Sequence, residues 1–211
     1  MTIPPPLVFV VDDEEAVARA IQRLLEDRGY AVETFSDPGE FLGRPPQNGA
    51  SCVVLDLRMP SMSGLDVQQA MLARGWSPPV VFMTGAGDIP TTVQAMRDGA
   101  VDFLVKPIDE ARLLAAVARA LERDAEERRL RDERAAAAAR YARLTSRERQ
   151  VCACVARGLL NKQIAVELAM SEKTVKIHRG RVMHKLEVDS VAALVRLVDH
   201  LDLPATAESV T

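Results

Sequence analysis

Five short runs of mostly apolar and β-branched residues punctuate the first half of the chain: Leu7–Val11, Ala31–Phe35, Cys52–Leu55, Val80–Met83 and Asp102–Val105. Each is followed by a stretch with apolar residues at helical spacing, around Ala16–Arg28, Pro38–Leu42, Leu65–Arg74, Thr91–Asp98 and Ile108–Leu121. Asp37-Pro38-Gly39-Glu40 carries a cap, a proline at the first helical position and a glutamate at the third, which marks a helix start. Continuous apolar runs suit strands covered on both faces. Five strand–helix units in succession therefore predict an α/β domain, a doubly wound parallel sheet of five strands.

The pattern then changes. "ERDAEERRLRDER", residues 122–134, has only Ala125 and Leu130 as apolar positions, but pairs Asp124 with Arg128 and Glu127 with Arg131 at i,i+4. This predicts a solvent-exposed continuation of the fifth helix, acting as a connector; a coiled-coil seam is the alternative. From Leu144 onward every pattern is helical. Thr145-Ser146-Arg147-Glu148 reads as a capping box opening a helix to Arg157, with Gly158 as its stop. A short helix Lys162–Met170 capped by Asn161 follows, then Glu172–Leu186 capped by Ser171, then a fourth beginning at Asp189 or Ser190. "PATAESVT" reads as a frayed tail. The expected domains are 1–122, a linker 123–142, an all-α four-helix domain 143–203, and a tail 204–211.

Charge separates the two halves further. Residues 1–121 hold ten basic and sixteen acidic side chains, whereas residues 144–186 hold nine basic and three acidic. That split suggests a metal or phosphoryl site in the first half and nucleic acid near the second. The cysteines, Cys52, Cys152 and Cys154, have no metal-ligand spacing and read as small buried hydrophobes. No apolar stretch approaches the length of about eighteen residues that spans a membrane. The opening "MTIPPPLVFVVDD" lacks a basic start and a cleavage site, so the cytoplasm is the expected location.

In an open parallel sheet, ligands bind beyond the carboxyl ends of the strands. Asp12 and Asp13 follow the first strand, Asp56 the third, Thr84 the fourth and Lys106 the fifth. Three carboxylates brought together repel unless a cation intervenes, and oxygen-only ligands suit Mg²⁺. Lys106 adds a positive charge for a phosphoryl group and Thr84 a hydroxyl for one of its oxygens. Asp56 is then equipped as a nucleophile toward phosphorus, because phosphoryl transfer needs mainly positioning and charge neutralisation.

"VFVVDDEE", "VVLDLRMPSMSGLD", "VVFMTGAGD" and "AVDFLVKP" resemble the receiver domain of two-component response regulators over residues 5–122, a flavodoxin-like fold. "GDIPTTVQAMRDGAVDFLVKP" resembles the FixJ-type subfamily in particular. The resemblance implies that Asp56 accepts phosphate from a sensor histidine kinase. It implies that Asp12, Asp13 and Asp56 hold Mg²⁺, with the backbone carbonyl of Arg58 as a further ligand. Thr84 and Phe103 match the family's switch pair, and Lys106-Pro107 matches a dipeptide that is cis in the family. Ala86 stands where FixJ-type sequences often have histidine, near the path of hydrolytic water, so the resemblance leaves the phosphoryl lifetime open.

At 100° per residue, Val175, Val182 and Leu186 of the third C-terminal helix share one face, and Lys173, Lys176, Ile177, Gly180, Arg181 and His184 the opposite one. An apolar Ile177 among cations fits a major groove, where it could meet a thymine methyl. "LTSRERQVCACVARGLLNKQIAVELAMSEKTVKIHRGRVMHKL" resembles the LuxR/NarL-type helix-turn-helix domain, which covers residues 143–201. The resemblance makes Lys162, Thr174, His178, Arg179 and Lys185 candidates for phosphate or packing contacts, and Lys176, Ile177 and Gly180 candidates for facing bases. For His178, packing and DNA contact stay open. Val191, Leu194, Val195 and Val198 form a stripe on the last helix that suggests a dimer surface, as in the resembled family.

The expected protein is a phosphorylation-switched transcription regulator and not an enzyme. Its expected partners are a sensor kinase, promoter DNA, a second copy when phosphorylated, and RNA polymerase, with no membrane. Two rivals remain. A Mg²⁺-dependent phosphatase of haloacid-dehalogenase type would place its nucleophile after the first strand as D-x-D, where this chain has Glu15 two after Asp13. A phosphorylation-independent binding module would not need Asp56, Thr84 and Lys106 together.

Overall fold

The structure, a computed structural model, describes residues 5–45, 49–85 and 100–201. The helix expected at Thr91–Asp98, Ala86 and the tail lie outside the described residues. The chain divides into two compact units, Met1–Arg128 and Arg129–Thr211.

In the first unit, strands β1 (Leu7–Val11), β2 (Ala31–Phe35), β3 (Ser51–Asp56), β4 (Val80–Thr84) and β5 (Asp102–Val105) form one sheet in the order β2-β1-β3-β4-β5. All four pairings are parallel. The three inner strands are buried along their whole length, which explains their unbroken apolar runs. Side chains alternate between faces. Phe9, Phe82, Val53 and Leu55 pack with Phe41 of α2 (Pro38–Gly43) and Val67 and Met71 of α3 (Gly64–Ala73). Val8, Val10, Val54, Val81 and Met83 pack on the other face with Ile21 and Leu25 of α1 (Glu15–Glu26) and Leu113 and Val117 of α4 (Glu110–Ala142).

Local signals start the helices where expected. Asp37 accepts from the Glu40 amide at 3.1 Å to open α2. Strands β3 and β4 extend one residue further than their apolar runs, so Asp56 and Thr84 are the last residues of their strands. The expected exposed connector is part of α4 and is not uniformly exposed. Asp124 is 1% exposed, and its carboxylate accepts from the Ser51 amide at 2.8 Å and from Arg128 Nε at 2.7 Å. Ala137, in the alanine run, is buried in the core of the second unit.

The second unit holds α5 (Ser146–Ala156), α6 (Asn161–Glu167), α7 (Glu172–Leu186) and α8 (Val191–His200). Thr145 and Glu148 form the anticipated capping box, and Gly158, at φ +81°, follows the end of α5. Asn161 does not cap α6, because Leu160 occupies the cap position and Gln163 Oε1 accepts from its amide at 2.8 Å. The helix also stops short of Met170, since Ala169 turns left-handed at φ 51° and the Met170 amide folds back to Ala165 O. Ser190, rather than Asp189, caps α8.

Candidate functional site

The carboxyl ends of β1, β3 and β5 bring Asp12, Asp13, Asp56 and Lys106 together. Parallel register puts Val11 opposite Leu55, so the aspartates just beyond them are neighbours. The Lys106 amide donates to Thr84 O at 2.7 Å, which sets the start of the following cis Lys106–Pro107 segment beside β4. The Lys106 ammonium lies 2.8 Å from Asp12 Oδ2 and 3.3 Å from Asp56 Oδ1. One oxygen each of Asp12, Asp13 and Asp56 falls within 4.8 Å of the others. This all-oxygen, anionic set can hold a hard divalent cation.

Burial raises the Asp56 pKa, the Lys106 charge opposes that rise, and the Asp12 charge adds to it. Burial alone would lower the Lys106 pKa, but its bonds and attraction to Asp12 and Asp56 prevail and raise it. Lys106 therefore stays charged. Thr84 is buried, with its hydroxyl donating to Gly85 O at 3.2 Å. The Phe103 ring is partly buried, its centroid 5.7 Å from that of Phe82. Arg58 is exposed in the turn that follows Asp56.

Two residues here escaped sequence reasoning. Glu14 reaches Lys106 Nζ at 3.3 Å, and its amide donates to Asp12 Oδ1 at 2.9 Å. It is the third acid of a run of four, and nothing in such a run says which member turns toward a lysine 92 residues away. Gly64 opens α3 against the strand end: a Cβ there would lie 2.5 Å from the Asp56 carbonyl oxygen. The S-x-x-D capping signal of Ser63 and Asp66 marks the helix start, but not that approach.

The second unit presents its basic helix α7 as the helical projection requires. Lys173, Lys176, Ile177, Gly180 and Arg181 are exposed, Ile177 at 48%, and Lys162 is exposed on α6. Other candidates are committed within the fold. Arg179 donates to Asn161 Oδ1 at 2.9 Å, and Thr174 shares a hydroxyl hydrogen bond with Ser171 at 2.8 Å. His178 is half-buried, with its Nδ1 enclosed, which favours packing. Lys185 is committed within the fold as well, which favours packing of its two candidate roles: its ammonium is held by Glu148 Oε2 at 2.6 Å and by Arg143 O at 3.2 Å. The dimer stripe needs a correction. Leu194 is fully buried in the domain core beside Leu197, so it cannot meet a partner. Val191 and Val198 lean on that core, and Val195 is partly exposed.

The three cysteines are buried and unpaired. Burial pushes the Cys152 thiol up to about 11, which suits an inert core residue. Among the described residues, no helix is long and apolar enough to cross a membrane.

Comparison with known proteins finds a separate family for each part of the chain. Residues 8–118 match the response regulator receiver domain, and residues 142–198 match the bacterial regulatory proteins of the luxR family. The chain is 42% identical to the response regulator protein TodT of Pseudomonas putida over 195 residues, covering 92% of this chain and 86% of that protein. It is 43% identical to the transcriptional regulatory protein FixJ of Azorhizobium caulinodans over 190 residues, covering 90% of each. The solved structure of the response regulator StyR superposes with a TM-score of 0.84 at 45% identity, covering 93% of this chain and 99% of that one. With the acidic pocket at one end of its chain and the exposed basic helix at the other, this protein belongs to the two-component response regulators of the FixJ type, a receiver domain joined to a LuxR-type helix-turn-helix domain.

Proposed function

We propose that Asp56 is the phosphoacceptor, that Asp12, Asp13 and Asp56 hold Mg²⁺ with the Arg58 carbonyl, and that Lys106 and Thr84 receive the phosphoryl oxygens. The chain is a phosphorylation-dependent regulator rather than an enzyme, and works with a cognate histidine kinase and promoter DNA. The observation that carries the residue assignment is the Lys106 ammonium set between Asp12 and Asp56 at the strand ends. An Asp56 oxygen attacks phosphorus, the bond from phosphorus to the donor breaks, and an acyl phosphate forms on Asp56. When bound, Mg²⁺ would neutralise charge on the phosphoryl oxygens. Lys106 supplies the same kind of neutralisation from the protein, at an oxygen already 3.3 Å from its ammonium.

Thr84, the last residue of β4, and Phe103, which pairs with Phe82 on neighbouring β5, are proposed to couple the pocket to the β5 edge of the receiver, where a second phosphorylated copy would pair. On the effector, Lys173, Lys176, Ile177, Gly180 and Arg181 are proposed to face the major groove, with Lys162, Thr174 and Arg179 near phosphates. Val191, Val195 and Val198 remain as proposed dimer contacts, and RNA polymerase as a further partner at the promoter.

Incubation with acetyl phosphate and Mg²⁺, read by intact mass, tests the acceptor. Wild type gains one phosphoryl group, chelation blocks the gain, and Asp56→Asn stays folded but gains nothing. Labelling of the Asn variant at the wild-type rate would move the acceptor elsewhere. Turnover of a phosphomonoester would instead support the phosphatase reading.

A further inference from the structure

The Lys106 ammonium has three N–H donors and three carboxylates around it: Asp12 at 2.8 Å, Asp56 at 3.3 Å and Glu14 at 3.3 Å. A phosphoryl group arriving at Asp56 needs one of those donors, so one carboxylate must yield. Asp12 is fully buried, and a buried charge stripped of its partner is strongly unfavourable. Asp56 is the nucleophile itself. Glu14 has a side chain 64% exposed, and it can turn into water with little loss.

Resting on the assignment of Asp56 as acceptor, we propose that Glu14 determines phosphodonor specificity, its exposed carboxylate sharing the Lys106 ammonium at the mouth of the pocket and disfavouring small anionic donors. Two effects act in the same direction. The Glu14 carboxylate occupies an ammonium hydrogen bond that the donor's phosphoryl oxygens need. Its negative charge also stands beside the approach to Asp56 and repels a dianion in proportion to the donor's charge. A kinase can offset that repulsion with its own contacts to the receiver; a free metabolite of the acyl-phosphate class cannot. Glu14 acts through Lys106 and through its field, and is a positioning residue.

The test compares the full-length wild type with Glu14→Gln and Glu14→Asp, using two donors of different charge at neutral pH. With acetyl phosphate, a dianion, the O–P bond breaks and acetate leaves. With phosphoramidate, a net monoanion, the P–N bond breaks and ammonia leaves. Second-order uptake rates come from intact mass, and the Mg²⁺ dependence of each rate is measured alongside. Glu14→Gln is expected to speed uptake from acetyl phosphate about fivefold at low salt and from phosphoramidate by clearly less. The difference should vanish near 1 M salt, where the screening length falls to about 3 Å. Glu14→Asp, which keeps the charge, should keep the wild-type donor ratio. Equal changes with both donors, or a slower rate in Glu14→Gln, would overturn the proposal while leaving Asp56 as acceptor. So would a loss of apparent Mg²⁺ affinity, which would make Glu14 a metal ligand. No uptake by wild type from either donor would overturn the Asp56 assignment and this inference together.

Discussion

Gly64 and Gly180 are the same residue type in opposite surroundings, and single substitutions separate them. A Cβ on Gly64 would stand 2.5 Å from Asp56 O and 3.1 Å from Leu57 Cα, both backbone atoms that cannot swing aside. Gly64→Ala is therefore expected to destabilise the receiver by about 2 kcal/mol and to slow phosphoryl uptake, since the segment that moves carries Asp56. Denaturant midpoints and uptake rates check both; an unchanged midpoint would show that this strand end yields freely. Around Gly180 a Cβ meets no heavy atom within 4 Å. Gly180→Ala should stabilise α7 by about 1 kcal/mol, which separates no reading of the site from another. Gly180→Leu does, because it adds bulk on the face proposed to enter the groove. Operator affinity should fall more than tenfold while the free protein, which gains helix propensity, is not destabilised. Binding as tight as wild type would mean that Gly180 faces away from DNA.

At the scale of elements, helix α5 is started by a capping box whose acid has a second task. Glu148 Oε2 accepts from the Thr145 amide at 2.8 Å and from the Lys185 ammonium at 2.6 Å, tying the start of α5 to the end of α7. The Lys185 hydrogen bond first, and then the Thr145 amide, hold the Glu148 pKa down to about 2 from 4.5. A depressed folded-state pKa means that the unfolded chain takes the proton more readily. The stabilisation is full above about 4.5 and is lost as pH falls toward about 2. Glu148→Gln keeps an acceptor for the cap but leaves Lys185 without its counter-charge, and is expected to cost about 1–2 kcal/mol near neutral pH. Amide exchange over residues 146–156, corrected for intrinsic rates, reads this out. Wild-type protection should drop toward that of the Gln variant as the solution is acidified through this window. Curves that run parallel would remove Glu148 as the source.

At the scale of the whole molecule, an acidic receiver and a basic effector domain lie on one chain with a net charge of −3. Phosphorylation is expected to raise the dimer fraction, and dimerisation to raise operator occupancy, because two linked half-sites bind with a high effective concentration. On the receiver, Val105 of edge strand β5 is half exposed and would give such pairing an apolar contact. Sedimentation and operator binding with and without acetyl phosphate measure the two steps. Full phosphorylation with an unchanged sedimentation profile would rule out the dimer route and favour release of inhibition within one chain. Operator affinity should also fall steeply with salt if the exposed cations of α6 and α7 neutralise DNA phosphates as proposed.

What this sequence determines by itself is local or topological. Strand runs, capping boxes at Thr145 and Ser63, and the left-handed stop at Gly158 follow from interactions within a few residues. The pocket was legible for a different reason: parallel winding sends every strand's carboxyl end to one rim, so Asp12, Asp13, Asp56 and Lys106 must converge wherever the helices lie. Tertiary structure alone decided which member of a group faces where. Leu194 went to the core and not to a partner, Lys185 to Glu148, Asp124 to the Ser51 amide, and Glu14 to Lys106. Each of these depends on the rotation of a helix or loop against a neighbour far away in the chain. Small rotations exchange adjacent side chains between core, partner and solvent at nearly equal local energy, and only the packing of the whole domain selects among them.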